Sequence, residues 1–513
     1  MDRRTFLKTG GAAVVLSGIG AKTAYARVPA HNWDGYNFGG GPEVKDRLYQ
    51  GPFPQYAPEE YVPGNSVVSS TTPSKGVVPN YGMGLITYVC DEVGPPKIKG
   101  ESLAESIEKL AKMSLGNKLY IRVDWRDIQQ KPGRLDFPEH WKLTFEMAKK
   151  YGKKVGLRIQ LMSPVIEPHS CPDFVAEKTP FVKLGTTDQI GIPGKVHYAP
   201  RYDHPTFMNA FKEMDSMLAD IYNGHPDVEY VDTCMYGFWG EGHTWPFQGH
   251  CFPDDLTAEK TFMEMLEHQI RNWDKTPLTT NTQPDYSRVG NSEMLDRTIR
   301  SHNWLRTDTI FIENTQIDSL SNRRPWIGAT IEQGISDGTP ETLRMKEGIP
   351  RTESIISHVK DLGANYFSLW NWHRISADRI MNYYNQFPDS LDDLARNIGY
   401  RVRPSWIWSF EKEEHPGLVM GFVNDGISGV PGVLRITVFN DDGSVNVGGS
   451  LDAGYPLPRK VRQAMFILPK GTNWEGLKVK AEIEVKGRRL PVRWACREAL
   501  NADGSLTLRD GHA

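Results

Sequence analysis

The chain alternates between short, continuous apolar runs and longer segments whose apolar residues recur at helical spacing. Eight such runs lie between residues 83 and 369, and their length suits strands that are buried on both faces. The runs are 83–89, 119–123, 155–159, 228–235, 278–281, 309–312, 326–331 and 365–369. Strands that alternate with helices are typical of a parallel sheet. Eight units predict a closed (β/α)₈ barrel, with an open doubly wound sheet as the alternative.

The segments between the runs carry helix signals. Ser102 and Glu105 form a capping box, and Pro138 stands where a helix can begin. One connection fits poorly, because only about a dozen residues separate run 309–312 from run 326–331, fewer than a crossover helix needs. Either that helix is reduced to a turn, or the sixth strand lies elsewhere.

The pattern changes after residue 400. Residues 477–485 alternate strictly between apolar and charged side chains, which predicts a half-exposed antiparallel strand. Residues 434–438 alternate in the same way before the turn at Asp442-Gly443. Short strands and turns up to the C-terminus predict a β-sandwich. Trp406 and Trp408 stand near its start, where we expect them to brace the barrel.

The N-terminus has the features of an export signal. Arg3-Arg4 precede a moderately long apolar stretch, and Ala24-Tyr25-Ala26 offers a cleavage site. The paired arginines favour the twin-arginine route and therefore a periplasmic or secreted protein. The expected organisation is a signal peptide (1–26), an irregular arm over the barrel (27–80), the catalytic barrel (81–400) and the sandwich (401–513). No later run is long enough to insert into a membrane.

Composition narrows the partners. The formal net charge of −3, which becomes more negative without the basic signal segment, argues against nucleic acid. The five cysteines show no metal-ligand spacing, and no glycine-rich phosphate loop follows a strand, so we expect no cofactor and no bound metal. The 14 tryptophans are numerous enough to include flat platforms for sugar rings. Oligomeric state and disulfide pairing are not determined by the sequence.

Residues just past the C-terminal ends of barrel strands line the active site in this fold. Acids, amides and indoles crowd these positions. Glu241 and Glu332, after the fourth and seventh runs, are placed on opposite sides of an eight-stranded ring, where two carboxylates could flank a glycosidic bond. Glu313, after the sixth run, is the rival of Glu332. The remaining candidate substrate-binding residues are Arg122, Asp124, Trp125, Arg158, Gln160, Trp239, His243, Trp245, Asn314, Trp370, Asn371 and Trp372.

Residues 80–375 resemble clan A of the glycoside hydrolases, in particular the family 42 β-galactosidases. Segments 120–125 (Tyr-Ile-Arg-Val-Asp-Trp) and 133–137 (Gly-Arg-Leu-Asp-Phe) are similar to the second-strand region of those enzymes, and 237–241 (Gly-Phe-Trp-Gly-Glu) to the acid/base site. The resemblance implies a retaining hydrolase with Glu241 as acid/base, Glu332 as nucleophile and Trp370 as a sugar platform. Most members carry Asn directly before the acid/base; here Gly240 stands there, so Asn371, Asn314 or another amide would replace it.

The acid needs a raised pKa, which we expect burial, an apolar wall of Phe238, Trp239 and Trp245, and the charge of Glu332 to supply. Arg122 or Arg158, if either points inward, would keep Glu332 ionised. Two other functions remain open. One is a non-catalytic carbohydrate-binding protein on a barrel scaffold; the other is a metal-dependent exported hydrolase. Asp124 and Arg126 could also be no more than a surface pair.

Overall fold

The computed structural model describes residues 67–69, 71–91, 93–247, 251–282, 288–307, 314–343, 345–346, 349–371, 375–412 and 414–509. The expected signal peptide and residues 27–66 and 70 of the expected arm lie outside these ranges. Within them, no helix combines the length and apolar character that crossing a membrane requires.

The centre of the molecule is a closed barrel of eight parallel strands, numbered one to eight here in chain order. They are Gly84–Tyr88, Lys118–Asp124, Lys154–Gln160, Val228–Asp232, Leu278–Asn281, Trp304–Thr307, Ala329–Ile331 and Tyr366–Ser368. Each strand pairs in parallel with the strands that precede and follow it in chain order, and strand eight pairs with strand one to close the barrel. The predicted barrel is confirmed, and seven of the predicted runs overlap its strands.

The sixth strand was predicted in the wrong place. Trp304–Thr307 forms it, whereas the predicted run 309–312 lies outside the described residues. The true strand was hidden because it has only two apolar residues, Trp304 and Leu305, before the fully buried Arg306. Its correct position leaves room for a short helix, Asn314–Ser321, before strand seven.

Helices surround the barrel, and they begin and end at the expected signals. Ser102 and Glu105 form the capping box on the first helix, and Pro138 caps the third. The helices are Leu103–Lys112, Trp125–Ile128, Glu139–Lys150, Asp173–Ala176, Pro205–Tyr222, Asp255–Asn272, Arg288–Arg300, Asn314–Ser321, Arg351–Asp361, Ala377–Gln386 and Pro388–Asn397, with a 3₁₀ turn at Phe238–Gly240. Two short hairpins, Phe181–Thr186 with Val196–Pro200 and Met345–Lys346 with Ile349–Pro350, complete this part.

The C-terminal part is the expected antiparallel β-sandwich. One sheet contains Val67–Ser69, Val402–Lys412, His415–Asn424 and Val461–Ile467; the other contains Asn446–Ser450, Val433–Phe439, Lys478–Val485, Arg488–Val492 and Leu506–Thr507. Trp494, which follows the strand Arg488–Val492, links the two sheets: its ring stacks on Phe422 of the first sheet with centroids 5.8 Å apart, and its Nε1–H donates to the Val479 carbonyl of the second. Within the expected arm, residues 67–69 pair with Trp406–Trp408 and extend the sandwich, whereas residues 71–80 contain no helix or strand apart from an isolated bridge at Pro73.

The sandwich packs across the N-terminal ends of the barrel strands through polar contacts. The Arg323 guanidinium donates to the carbonyls of Leu362 and Gly363 and contacts the Ser428 hydroxyl, which in turn donates to Asn365 Oδ1 at 2.8 Å. The contact between barrel and sandwich is therefore not made by the two tryptophans, contrary to the prediction. Trp406 and Trp408 instead form a small, separate apolar cluster with Phe410 and Val419.

The five cysteines Cys90, Cys171, Cys234, Cys251 and Cys496 are all free thiols. Four of them are buried, and no disulfide therefore contributes to the fold.

Candidate active site

The segment after strand four folds back on itself and turns Glu241 towards the barrel axis. Gly237 has a φ of 79° and Trp239 a φ of 55°, both in the left-handed region, around the short turn at Phe238–Gly240. The Phe238 N–H donates to the His243 carbonyl at 2.8 Å, and the Trp239 N–H donates to the Met162 carbonyl at 2.9 Å. A side chain at Gly237 would overlap the backbone of His243, so this tight loop requires glycine there.

Glu241 is buried among cationic and donor groups. Its Oε1 accepts from Arg158 Nη1 at 2.7 Å and lies 3.7 Å from Arg306 Nη2. Its Oε2 lies 3.4 Å from His243 Nε2. Because His243 Nδ1 accepts from the Trp245 N–H at 3.3 Å, a neutral His243 ring carries its proton on Nε2 and donates it to Glu241.

The electrostatics of Glu241 differ from the expectation. Burial alone raises the pKa of this carboxyl, but the charge of Arg158 and the hydrogen bond from His243 outweigh it and lower the pKa to about 2. The predicted raised pKa is therefore wrong for this arrangement, and Glu241 is held ionised. The predicted apolar wall is also incomplete, because the Trp245 side chain is 53% exposed.

Glu332 directly follows strand seven and faces Glu241 across the barrel. Its backbone N–H donates to the Thr307 carbonyl at 2.8 Å, which fixes the end of the strand. Its Oε2 contacts Arg306 Nη2 and lies 3.7 Å from Arg158 Nη2, and its Oε1 lies 3.9 Å from Arg122 Nη1. Arg122 and Arg158 thus both point inward, which is the predicted condition for keeping Glu332 ionised.

The two glutamates share their partners. Glu241 and Glu332 both contact the guanidinium groups of Arg158 and Arg306, and one nitrogen, Arg306 Nη2, contacts an oxygen of each. The distance between the nearest carboxylate oxygens of Glu241 and Glu332 is therefore smaller than the two distances from Arg306 Nη2 to those oxygens added together. Both side chains are about 5% exposed.

Sequence reasoning missed Arg306 and Asp232. Asp232, the last residue of strand four, accepts from Tyr120 Oη, Arg158 Nε and Arg306 Nη1. Arg306 was missed because strand six was misplaced. Asp232 was missed because it stands inside an apolar run; an acid within a continuous buried strand was the available signal.

Asp124 and Gln160 end the neighbouring strands two and three and lie side by side in register. Burial raises the pKa of Asp124 to about 7, although the nearby Ser170 and Gln160 side chains act in the opposite direction. Asp124 Oδ1 and Gln160 Oε1 have no hydrogen-bond partner among the described residues. Asp124 is not in a surface pair, since Arg126 instead contacts the carbonyls of Glu167 and His169.

The predicted tryptophans are distributed unevenly. Trp239 is half-buried, with its ring centroid 5.6 Å from that of His243, and half-buried Trp370 lies 6.4 Å from the Tyr88 ring. Trp125 lies outside the site, contrary to its prediction: its side chain is fully buried, and its Nε1 donates to Gln129 Oε1 at 2.7 Å. It was misassigned because it follows a strand, yet its helix turns the ring into the outer core.

The amides after strand eight include one without a protein partner. Asn371 is 1% exposed, and neither its Oδ1 nor its Nδ2 is hydrogen-bonded within the described part of the chain. Glu313 and Trp372 lie outside the described residues, as does the side chain of Asn314. Across the described ranges, no three His, Cys, Asp or Glu side chains are grouped so that they could hold a metal ion.

No protein-family model and no curated protein matches the chain. Among solved structures, a GH42 β-galactosidase from G. stearothermophilus matches with a TM-score of 0.39 and 12% identity over 63% of this chain and 58% of its own. Endo-glycoceramidase II from Rhodococcus sp. gives 0.36 and 10%, over 77% and 100%. D-allulose 3-epimerase from Methylomonas sp. gives 0.34 and 11%, over 60% and 99%.

These matches include the β-galactosidase family that the sequence resembles, and they also include an enzyme of another class. At these scores, no activity is carried over from them to this chain. The barrel is shown by the pairing of its strands, and any function has to be argued from the residues at its C-terminal end.

Proposed function

We propose that the protein is a glycoside hydrolase that cleaves a glycosidic bond in an extracytoplasmic poly- or oligosaccharide. The observation that carries the proposal is the meeting of Glu241 and Glu332, from strands four and seven, on the same two arginines. Two carboxylates on opposite sides of one bond are what this hydrolysis requires.

We assign Glu241 as acid/base and Glu332 as nucleophile. Three arginines around Glu332 favour its ionised form, as a nucleophile requires. The shared contact with Arg306 Nη2 favours a separation of roughly 5 Å, which is typical of retaining enzymes, over the wider spacing that leaves room for a water molecule.

Glu241 must gain a proton before it can act as the acid. In the arrangement described above it is ionised, because Arg158 and His243 both favour its charged form. A sugar hydroxyl oxygen that accepts the proton of His243 Nε2 would withdraw this donor from Glu241, and the exclusion of water by the bound sugar would add to the effect of burial, so both changes raise the pKa of Glu241. Proton uptake is therefore coupled to substrate binding in this proposal.

The amide and indole groups of the mouth supply sugar contacts. We assign the unpaired amide of Asn371 to a sugar hydroxyl, because Gly240 stands where similar enzymes carry the Asn that precedes their acid/base. Trp239, whose ring lies beside His243, and Trp370, which follows strand eight, each offer a half-buried ring for stacking on a sugar.

The test is hydrolysis of a panel of nitrophenyl α- and β-glycosides by the wild type, Glu241→Ala and Glu332→Ala. We expect each variant to lose at least ~10²-fold in kcat on the glycoside that the wild type cleaves. Added azide should rescue both, giving a glycosyl azide of retained configuration with Glu241→Ala and of inverted configuration with Glu332→Ala. Glu353→Ala is the matched control, because that carboxylate lies on an outer helix and bonds Tyr383 and Ser390.

Rescue products of the same configuration would contradict the assigned roles. A second function, non-catalytic carbohydrate binding, is favoured by one observation: arginines neutralise both glutamates, as in a structural ion-pair network. It would be supported if no glycoside in the panel is cleaved while oligosaccharides bind in calorimetry.

We also propose that the protein acts outside the cytoplasm, because Arg3-Arg4 and the apolar stretch behind them have the form of a twin-arginine signal. Changing both arginines to lysine should retain the protein in the cytoplasmic fraction. Unchanged export of that variant would overturn the proposed route.

A further inference from the structure

Asp232 is the residue on which the arginines of the site converge. Its side chain is 1% exposed, and its Oδ2 lies 2.5 Å from Tyr120 Oη and 3.1 Å from Arg158 Nε and also contacts Arg306 Nη1. Its Oδ1 accepts from the Thr279 hydroxyl. Every oxygen of this buried carboxylate is therefore occupied by a donor from another strand.

Each of the two arginines has one edge on Asp232 and the other on the carboxylate pair. Arg158 contacts Asp232 through Nε and Nη2 and Glu241 through Nη1. Arg306 contacts Asp232 through Nη1 and Glu332 through Nη2. Because a guanidinium group is planar and rigid, fixing one edge also fixes the direction of the other.

The charges of the cluster balance. When all six groups are ionised, Arg122, Arg158 and Arg306 carry three positive charges, and Asp232, Glu241 and Glu332 carry three negative ones. Burial raises the pKa of Asp232, and the charge of Arg158 and the hydrogen bonds from Thr279 and Tyr120 act in the opposite direction. Without Asp232, the two glutamates would face one excess positive charge, which lowers the pKa of a carboxyl group.

We propose that Asp232 is a positioning residue: by holding Arg158 and Arg306 it sets the separation and the protonation of the Glu241–Glu332 pair. This inference rests on the proposed hydrolase function. The titratable and charged groups that face Asp232 or act on it come from strands two, three, four and six and from the segment after strand four; they are Tyr120, Arg158, Tyr230, Arg306 and Cys234.

The experiment compares Asp232→Asn with the wild type on the nitrophenyl glycoside that the wild type cleaves. The near-isosteric amide removes the charge, so the pKa of the pair should fall. We expect the alkaline limb of the kcat profile, which reports the acid in the substrate complex, to move to lower pH by about one unit. We expect kcat near neutral pH to fall by roughly tenfold or more while KM stays within about twofold.

Glu229→Gln is the matched control. Glu229 is a buried carboxylate on the same strand, but its partner is Lys118 at 2.7 Å and it has no contact with the three arginines among the described ion pairs. Its loss should reduce thermal stability without moving the pH profile. An equal shift in Glu229→Gln, or no shift in Asp232→Asn, would overturn the inference.

Thr279→Val is a second, milder variant that keeps every charge. It removes the hydroxyl that holds Asp232 Oδ1, so kcat should fall about threefold to tenfold without a shift of the pH limbs. If Asp232→Asn does not fold, an unchanged kcat in Thr279→Val overturns the inference. A wild type that cleaves no glycoside removes the proposed function and this inference together, whereas an active wild type with indifferent variants removes the inference alone.

Discussion

At the scale of single residues, the barrel mouth is dominated by buried polar groups whose partners are incomplete. Asp124 Oδ1, Gln160 Oε1 and the Asn371 amide are buried and unpaired within the described residues. A buried polar group without a partner lowers the stability of the fold. Several such groups at one end of the barrel therefore indicate a binding site there.

Asp124 should make stability depend on pH. Its pKa is about 7 in the folded protein and 3.8 for an ordinary aspartate, so the folded state holds the proton more tightly. The stability that this provides is present below pH 3.8 and is lost as the pH rises through 7. Asp124→Asn should therefore melt at a higher temperature than the wild type at pH 8 but not at pH 3.8, as measured by thermal unfolding.

The control for that prediction is Asp136→Asn, whose side chain is 62% exposed and so is solvated whether the chain is folded or not. It should leave the pH dependence unchanged. A melting-temperature gain of Asp124→Asn that is the same at both pH values would argue against a raised pKa.

Asn371 should matter for substrate and not for the fold. Since its amide bonds no described residue, Asn371→Ala should leave the melting temperature almost unchanged and lower kcat/KM by about tenfold. Asn365→Ala is the contrast, because Asn365 Oδ1 accepts from the Ala329 N–H and its Nδ2 donates to the Gly82 carbonyl. That variant should lose about 1–3 kcal/mol of folding stability, and a reversed pattern would count against Asn371 as a sugar contact.

At the scale of elements, the segment after strand four is the part of the backbone that the site depends on most. The contacts of Gly237 with the His243 backbone close the loop, and the closed loop directs Glu241 and the His243 ring to each other. An L-residue that replaces a glycine in the left-handed region costs about 1–2 kcal/mol of folding stability, even where there is space for its side chain.

Gly237→Ala should therefore combine that cost with a backbone overlap and should disorder the loop. We expect a loss of well over ~2 kcal/mol in the free energy of unfolding, together with loss of hydrolysis. Gly133→Ala is the matched control, since Gly133 has a similar φ of 71° but open space around it. Denaturant unfolding of both would show whether the overlap matters: equal losses would mean that the loop adapts.

At the scale of the whole molecule, the sandwich packs on the N-terminal end of the barrel, opposite the C-terminal end where Glu241 and Glu332 meet. Arg323 lies between them, and burial lowers its pKa to about 10. Its guanidinium donates to the carbonyls of Leu320, Leu362 and Gly363, so its removal would leave buried acceptors without donors.

Arg323→Met should consequently destabilise the end of the barrel on which the sandwich packs, and it also removes the contact of the guanidinium with the Ser428 hydroxyl of the sandwich. We expect a loss of about 3 kcal/mol and, in calorimetry, a single transition that broadens or separates into two. The exposed neighbour Arg324→Met should change little. A sharp, unshifted transition in Arg323→Met would mean that apolar packing alone holds the two parts together.

The sequence by itself determined what depends on local pattern. Apolar runs and helix caps predicted the barrel, the sandwich strands and the positions of Glu241 and Glu332. They could do so because burial on both faces of a strand, and the order of the strands, can be recognised from residues that are close together in the sequence. Only the tertiary structure placed Arg306 and Asp232, since a charged residue inside a strand is stable only through partners from distant strands. It also decided the ionised state of Glu241, because that depends on the balance between burial and the charges of Arg158 and its neighbours, which no local pattern contains.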